Sequence, residues 1–119
     1  MIPRLSRGRE APASIYREFL VELRLRGFEG ELSAADADRT VYATDNSIYQ
    51  VLPQAVVFPR NETDVARVAK LVREPGFRSV VVTPRGGGTG TNGQSLTDGV
   101  VVDLSRHMNR ILAVDRVER

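Results

Sequence analysis

Apolar positions first fall into a regular pattern at Ile15, Phe19, Leu20 and Leu23, spaced i, i+4, i+5 and i+8. That spacing is one face of a 3.6-residue period and predicts an amphipathic helix beginning at Ser14, whose hydroxyl suits an N-cap. Gly27 is placed to end it as the first residue past the helix. Residues 31–46 are polar and rich in small side chains, with no firm period, and 42–46 reads as a loop into Ile48-Tyr49-Gln50. From residue 55 the pattern sharpens. Residues 55–58 predict a buried strand closed by Pro59. Asn61 then caps a helix, with Asp64 where a capping box places its acid and Val65, Val68, Ala69 and Val72 on one face. Glu74-Pro75-Gly76 stops that helix. A second strand is expected at 79–83, a third at 99–104, a tight connection at 105–109 and a fourth short strand at 110–114. Strand, helix and strand across 55–83 make a βαβ unit, which implies parallel pairing and a right-handed crossover. The fold class is therefore α+β: an N-terminal helix, a βαβ unit and further short strands.

The bulk composition narrows the function classes. The chain has 119 residues, 41% apolar and 27% charged, which fits one soluble globular unit. The longest apolar runs, such as Ala55-Val56-Val57-Phe58, fall far short of the roughly 20 residues that span a bilayer. Arg4, Arg7 and Arg9 are not followed by an apolar stretch, so a secretory signal is not expected. There is no cysteine, which removes disulfides and thiolate metal sites from this segment and favours a cytoplasmic setting. The net charge is only +2, and the arginines, with Lys70 as the sole lysine, are interleaved with Asp and Glu. A nucleic-acid binder would gather them on one face with aromatics between. Asp36, Asp38 and Asp45 lack the glycine and terminal Glu of a calcium loop and read as polar loop. No nucleophile-elbow pattern accompanies Ser14 or His107, so hydrolase chemistry is not indicated.

The chemistry concentrates after the second strand. Five of the ten glycines fall between Gly86 and Gly93. Glycine lets another molecule approach the backbone, and successive N–H groups of such a run can converge on an anion. Thr89, Thr91, Asn92, Gln94 and Ser95 add neutral donors, and Arg85 a nearby positive charge. Gly88-x-Gly90-x-x-Gly93 satisfies the dinucleotide fingerprint G-x-G-x-x-G, but a Rossmann unit needs that loop to open a helix. Residues 94–99 leave no room for one. No Gly-Lys-Ser/Thr follows, so a Walker A loop is excluded as well. Two readings of the residues remain: a loop that holds a pyrophosphate, and a strand connection with no ligand.

Leu52-Pro53-x-Ala55-Val56-Val57-Phe58-Pro59, the capped helix, Thr83-Pro84-Arg85-Gly86-Gly87-Gly88-Thr89-Gly90, Gly99-Val100-Val101-Val102-Asp103 and Met108-Asn109-Arg110-Ile111 occur in that order. Together they resemble the FAD-binding domain of the p-cresol methylhydroxylase and vanillyl-alcohol oxidase type, over roughly residues 40 to 119. The wording of 44–50 and 105–110 looks most like the large bacterial D-2-hydroxyglutarate dehydrogenases, which carry an iron–sulfur domain at the far C-terminus. The resemblance implies FAD as cofactor, held at its pyrophosphate by Gly86, Gly87, Gly88, Thr89, Gly90, Gln94 and Ser95, with Gly93 in the same loop and Arg85 and Asn92 at its edges. Some relatives place a flavin-attaching histidine where Thr89 stands, so the FAD is expected to be non-covalent. His107 is expected to be an ordinary hydrogen-bonding surface residue.

The same resemblance implies an N-terminal fragment of an oxidoreductase that passes a hydride from a 2-hydroxy acid to flavin. Residues 1–12 would be a mobile arm, 13–45 a helical extension and loop, and 46–119 the first subdomain, cut short at its C-terminus. Substrate chemistry would lie downstream, and no residue here is expected to be catalytic. Self-association is left open. The alternative is a stand-alone interaction module that keeps the fold without flavin.

Overall fold

A computed structural model of the chain describes residues 12–109 except 46, 48, 91, 92 and 94. Helix α1 spans Ser14–Leu25. Its stripe packs as predicted: Phe19 and Leu23 are fully buried, with Ile15 and Leu20 against them. Each such side chain contributes about 1.5–3 kcal/mol on burial. Ser14 is not the cap. Ala13 holds that position in extended conformation without a side-chain bond, and its own N–H donates to Gln54 Oε1 at 2.7 Å. The chain therefore enters the helix through a long-range tie, which displaces the local cap. At the other end Gly27 adopts φ +95°, and Phe28 N–H donates to the Leu23 carbonyl while Gly27 N–H donates to that of Arg24. This is a Schellman ending at the glycine the sequence singled out.

Residues 31–46, which showed no period, contain strand β1, Glu31–Ser33, and helix α2, Asp36–Val41. Both are too short for a hydrophobic pattern to register. Strand β2, Ala55–Phe58, is buried at all four positions. Helix α3, Glu62–Leu71, follows, capped by Asn61 Oδ1, which accepts from Asp64 N–H at 2.9 Å. Asp64 does not close the reciprocal half of a capping box. Its buried carboxylate instead accepts the N–H groups of Glu29, Gly30 and Arg60, each at 2.9 Å, and Nη1 of Arg67 at 3.1 Å. It staples the start of α3 to the turn that leads into β1.

Strand β3 runs Val82–Arg85, three residues later than expected, and β4 runs Val100–Asp103. A 3-10 turn at Pro75–Phe77 and the Val80 N–H donated to the Phe77 carbonyl hold 79–80 out of the ladder. Pro84 lies past the end of the strand expected at 79–83, yet it sits within β3. Among the described residues the sheet order is β1-β2-β4-β3, which puts β3 at an edge, where a residue without an N–H is tolerated. β1 is antiparallel to β2, and β2, β4 and β3 are mutually parallel. The two strands of the expected βαβ unit are parallel but not neighbours, because β4, buried along its whole length, inserts between them. Ala55, Val57, Val100 and Val102 join Phe19, Leu23, Val68 and Leu71 in one core, while Val56, Phe58 and Val101 meet Tyr42 on the other face. Residues 13–45 thus share the sheet and core of 55–103. Residues 1–11 and the strand expected at 110–114 lie outside the described residues.

Candidate functional site

The three parallel strands point their C-terminal ends the same way, and the glycine loop leaves from the end of β3. Arg85 and Asp103 are the last residues of β3 and β4 and are paired in register. Two polar segments converge on that end. Tyr42, just past α2, donates its hydroxyl to Asp103 Oδ2 and packs edge-to-face on Phe58, ring centres 5.8 Å apart. Ser105 donates both N–H and hydroxyl to Asp103 Oδ1 at 2.7 Å. Burial pushes the Asp103 carboxyl up, but the bonds from Tyr42 and Ser105 prevail and hold it below the usual carboxylate range. Burial, then the bond and charge of Asp103, push the Tyr42 phenol up to about 12. The pair is fixed as phenol and carboxylate at neutral pH.

The guanidinium of Arg85 lies 5.0 Å from the Tyr42 ring centre and donates Nη2–H to the Thr44 carbonyl at 2.7 Å. Asp45 accepts Ser47 N–H at 2.7 Å and faces the Ser95 hydroxyl at 3.5 Å. The bonds from Ser47 hold the Asp45 carboxyl low against partial desolvation, and the charge of Arg85 adds to them. Among the described residues Arg85 and Asp45 thus bring opposite charges to the loop, with the Asp103 carboxylate beside them at the strand ends.

Within the loop the glycines differ in what requires them. Gly88 has φ +69°, and a Cβ there would stand 2.5 Å from Arg85 Nη2, so the fold itself demands glycine. Gly86 and Gly87 have no such demand. Neither has a left-handed φ, a Cβ on Gly86 would meet nothing within 4 Å, and one on Gly87 only Thr89 Cγ2 at 3.6 Å. Both are exposed, as is Thr89, while Gly90 and Gly93 are half-buried. The two glycines leave room for a molecule outside the chain to reach the backbone, which is what a pyrophosphate needs of such a loop. The residues present therefore fit a dinucleotide cofactor. Asn92 and Gln94 lie outside the described residues.

Sequence reasoning gave Asp103 no role beyond its place in the strand motif. A single carboxylate closing a valine run was the available signal, since a buried charge needs dedicated partners. Tyr42, at the start of the stretch read as a loop, packs on Phe58 and also holds that carboxylate. His107 lies 3.3 Å from Glu31 Oε2 beside the Arg106–Glu31 ion pair, as an ordinary surface hydrogen-bonding residue. Asp36 and Asp38 bond Arg39 and Ser33 respectively. Among the described residues no helix is long and apolar enough to cross a membrane.

A D-2-hydroxyglutarate dehydrogenase of Pseudomonas putida is 67% identical over 92% of this chain, and that of Escherichia coli K12 is 51% identical over 99%. The chain spans 11% and 12% of their respective lengths. Among solved structures, an alkyldihydroxyacetonephosphate synthase superposes over 92% of this chain and 24% of its own, with TM-score 0.69 and 26% identity. Residues 53–119, more than half of the chain and including the whole glycine loop, match the FAD binding domain family, and it is to this family that the chain belongs.

Proposed function

We propose that this chain is the pyrophosphate-holding segment of an FAD-dependent dehydrogenase that oxidises a D-2-hydroxy acid, with D-2-hydroxyglutarate as the leading substrate. The observation that carries the reading is the pair Gly86 and Gly87, whose missing side chains neither backbone conformation nor packing explains. Family membership supports the cofactor, and the names of the two dehydrogenase relatives support the substrate class. In this reading Gly86, Gly87, Gly88, Thr89 and Gly90 line the pyrophosphate. Asn92, Gly93, Gln94 and Ser95 complete the loop, and Arg85 borders it. FAD supplies the hydride acceptor when bound, and this segment holds and orients it. Thr89 carries a hydroxyl rather than an imidazole, which supports non-covalent attachment. The share of the relatives' length that is matched supports placing the substrate-binding groups elsewhere in a longer protein. The cysteine-free composition supports a cytoplasmic location.

The test uses the full-length protein. It should purify yellow, or become so on incubation with FAD, and acid precipitation should release all of the flavin into solution. Adding D-2-hydroxyglutarate without an electron acceptor should bleach the flavin absorbance. A protein that stays colourless after FAD incubation would overturn the reading, and flavin that stays with the precipitate would overturn non-covalent attachment.

A further inference from the structure

We infer that Arg85 is a positioning residue: it clamps the segment 42–45 onto the glycine turn and sets the shape of the cradle, instead of lending its charge to the phosphates. This rests on the flavin reading above. An arginine beside a pyrophosphate loop would ordinarily be taken as the phosphate cation. The geometry directs it elsewhere. Its Nη2–H is given to the Thr44 carbonyl at 2.7 Å, and Nη1–H reaches the Tyr42 carbonyl at 3.4 Å. Its guanidinium lies against the Tyr42 ring, and the turn at Gly88 passes close enough that a Cβ there would stand 2.5 Å from Nη2 and 3.0 Å from Cζ.

The clamp is anchored below. Tyr42 is fixed to Asp103 of β4 and to Phe58 of β2, so the column from the sheet to the turn runs Phe58, Tyr42, Arg85, Gly88. Each member is set by the one beneath it. The planar fork of arginine suits this task, since it donates in two directions while its face rests on an aromatic ring. Lysine carries the same charge but has neither the fork nor the face. Glycine at 88 then has a second purpose besides its φ: it leaves the guanidinium its place.

The experiment measures FAD affinity of the full-length apoprotein, by quenching of flavin fluorescence, for wild type, Arg85→Lys, Arg85→Ala, Gly88→Ala and the Arg85→Lys/Gly88→Ala double variant. Apoprotein Tm and far-ultraviolet circular dichroism are recorded in parallel. A role confined to holding the fold would move those two, not the affinity of a folded apoprotein. Each single variant is expected to bind FAD about tenfold more weakly, the scale of one lost charged hydrogen bond. Because Gly88→Ala displaces the group that Arg85→Lys removes, the double variant should be no weaker than the weaker single one. Wild-type affinity in Arg85→Lys, with a loss in Arg85→Ala, would overturn the inference, because charge alone would then suffice. Multiplying losses in the double variant would overturn it too. Should the wild-type protein take up no FAD, the flavin reading fails and this inference with it; the variants decide the inference alone whenever wild type binds.

Discussion

Replacing Asp64 with asparagine removes little volume but changes what the site can accept. The carboxylate is fully buried and divides its work evenly: Oδ1 takes Glu29 N–H and Arg67, Oδ2 takes Gly30 N–H and Arg60 N–H. Asparagine keeps one oxygen and turns an amino group toward the donors formerly held by the other. Even in the better orientation, with the oxygen kept on Gly30 and Arg60, the amino group faces Glu29 N–H and the Arg67 guanidinium. The unsatisfied buried amide costs about 1–3 kcal/mol, and the charged bond lost from Arg67 adds to it. Relaxation recovers part of this, so Asp64→Asn should cost about 3 kcal/mol. Among the described residues Arg67 is the only side chain paired with it by charge, and that side chain is 31% exposed. Arg67→Ala should therefore cost about 1 kcal/mol or less. Urea titration of the 119-residue chain, followed by far-ultraviolet circular dichroism, gives both values. Equal losses for the two variants would refute the reasoning, because they would make the ion pair, and not the three amides, the reason for a buried carboxylate.

The same group sets a pH dependence. Burial pushes the Asp64 carboxyl up, but the amides of Glu29, Arg60 and Gly30 together with Arg67 more than offset this and hold it below the usual range. The unfolded chain then takes up the proton first, so stability should fall as pH drops below about 4, and the fall should be shallower in Asp64→Asn. Tyr42 works at the other end: absorbance titration of wild type minus Tyr42→Phe should show a phenol ionising at about 12, and its contribution to stability should vanish as pH rises through that value. A difference step at the ordinary phenol value near about 10 would contradict the bond to Asp103. Phe19→Ala opens a cavity under α1, where the ring is fully buried and meets Phe77 edge-on at 5.5 Å, and should cost about 3–5 kcal/mol in the same urea assay.

Much of this was legible in the sequence because it is carried by local chemistry. The 15-19-20-23 stripe, Gly27 and Asn61 each act through neighbours within a turn, and each does in the structure what its residue type predicts. What escaped reading depends on partners far along the chain. Ala13 enters α1 through Gln54, 41 residues away, and Asp64 bonds Glu29, 35 residues away. β4 enters between β2 and β3 because a wholly buried strand belongs at the sheet centre, a preference that hydrophobic pattern alone does not order. Pro84 falls past the strand expected at 79–83, and β3 takes it because, among the described residues, that strand lies at an edge where a missing N–H is tolerated. In the site, the glycine loop was plain from composition. That Gly88 answers to Arg85, while among the described residues neither φ nor a close contact demands glycine at 86 and 87, depends on how the turn is laid against Arg85.

Gly87 offers the most direct measurement of the central claim. Among the described residues a Cβ there meets only Thr89, at an ordinary contact distance of 3.6 Å, so Gly87→Val should leave the apoprotein's circular dichroism and Tm unchanged. Its branched side chain would occupy the approach to the loop backbone. Equilibrium titration of full-length apoprotein with FAD should therefore show at least about tenfold weaker binding than wild type, the loss of one or more amide contacts. FAD bound equally by both proteins would contradict the account, because the loop would then not be the pyrophosphate cradle.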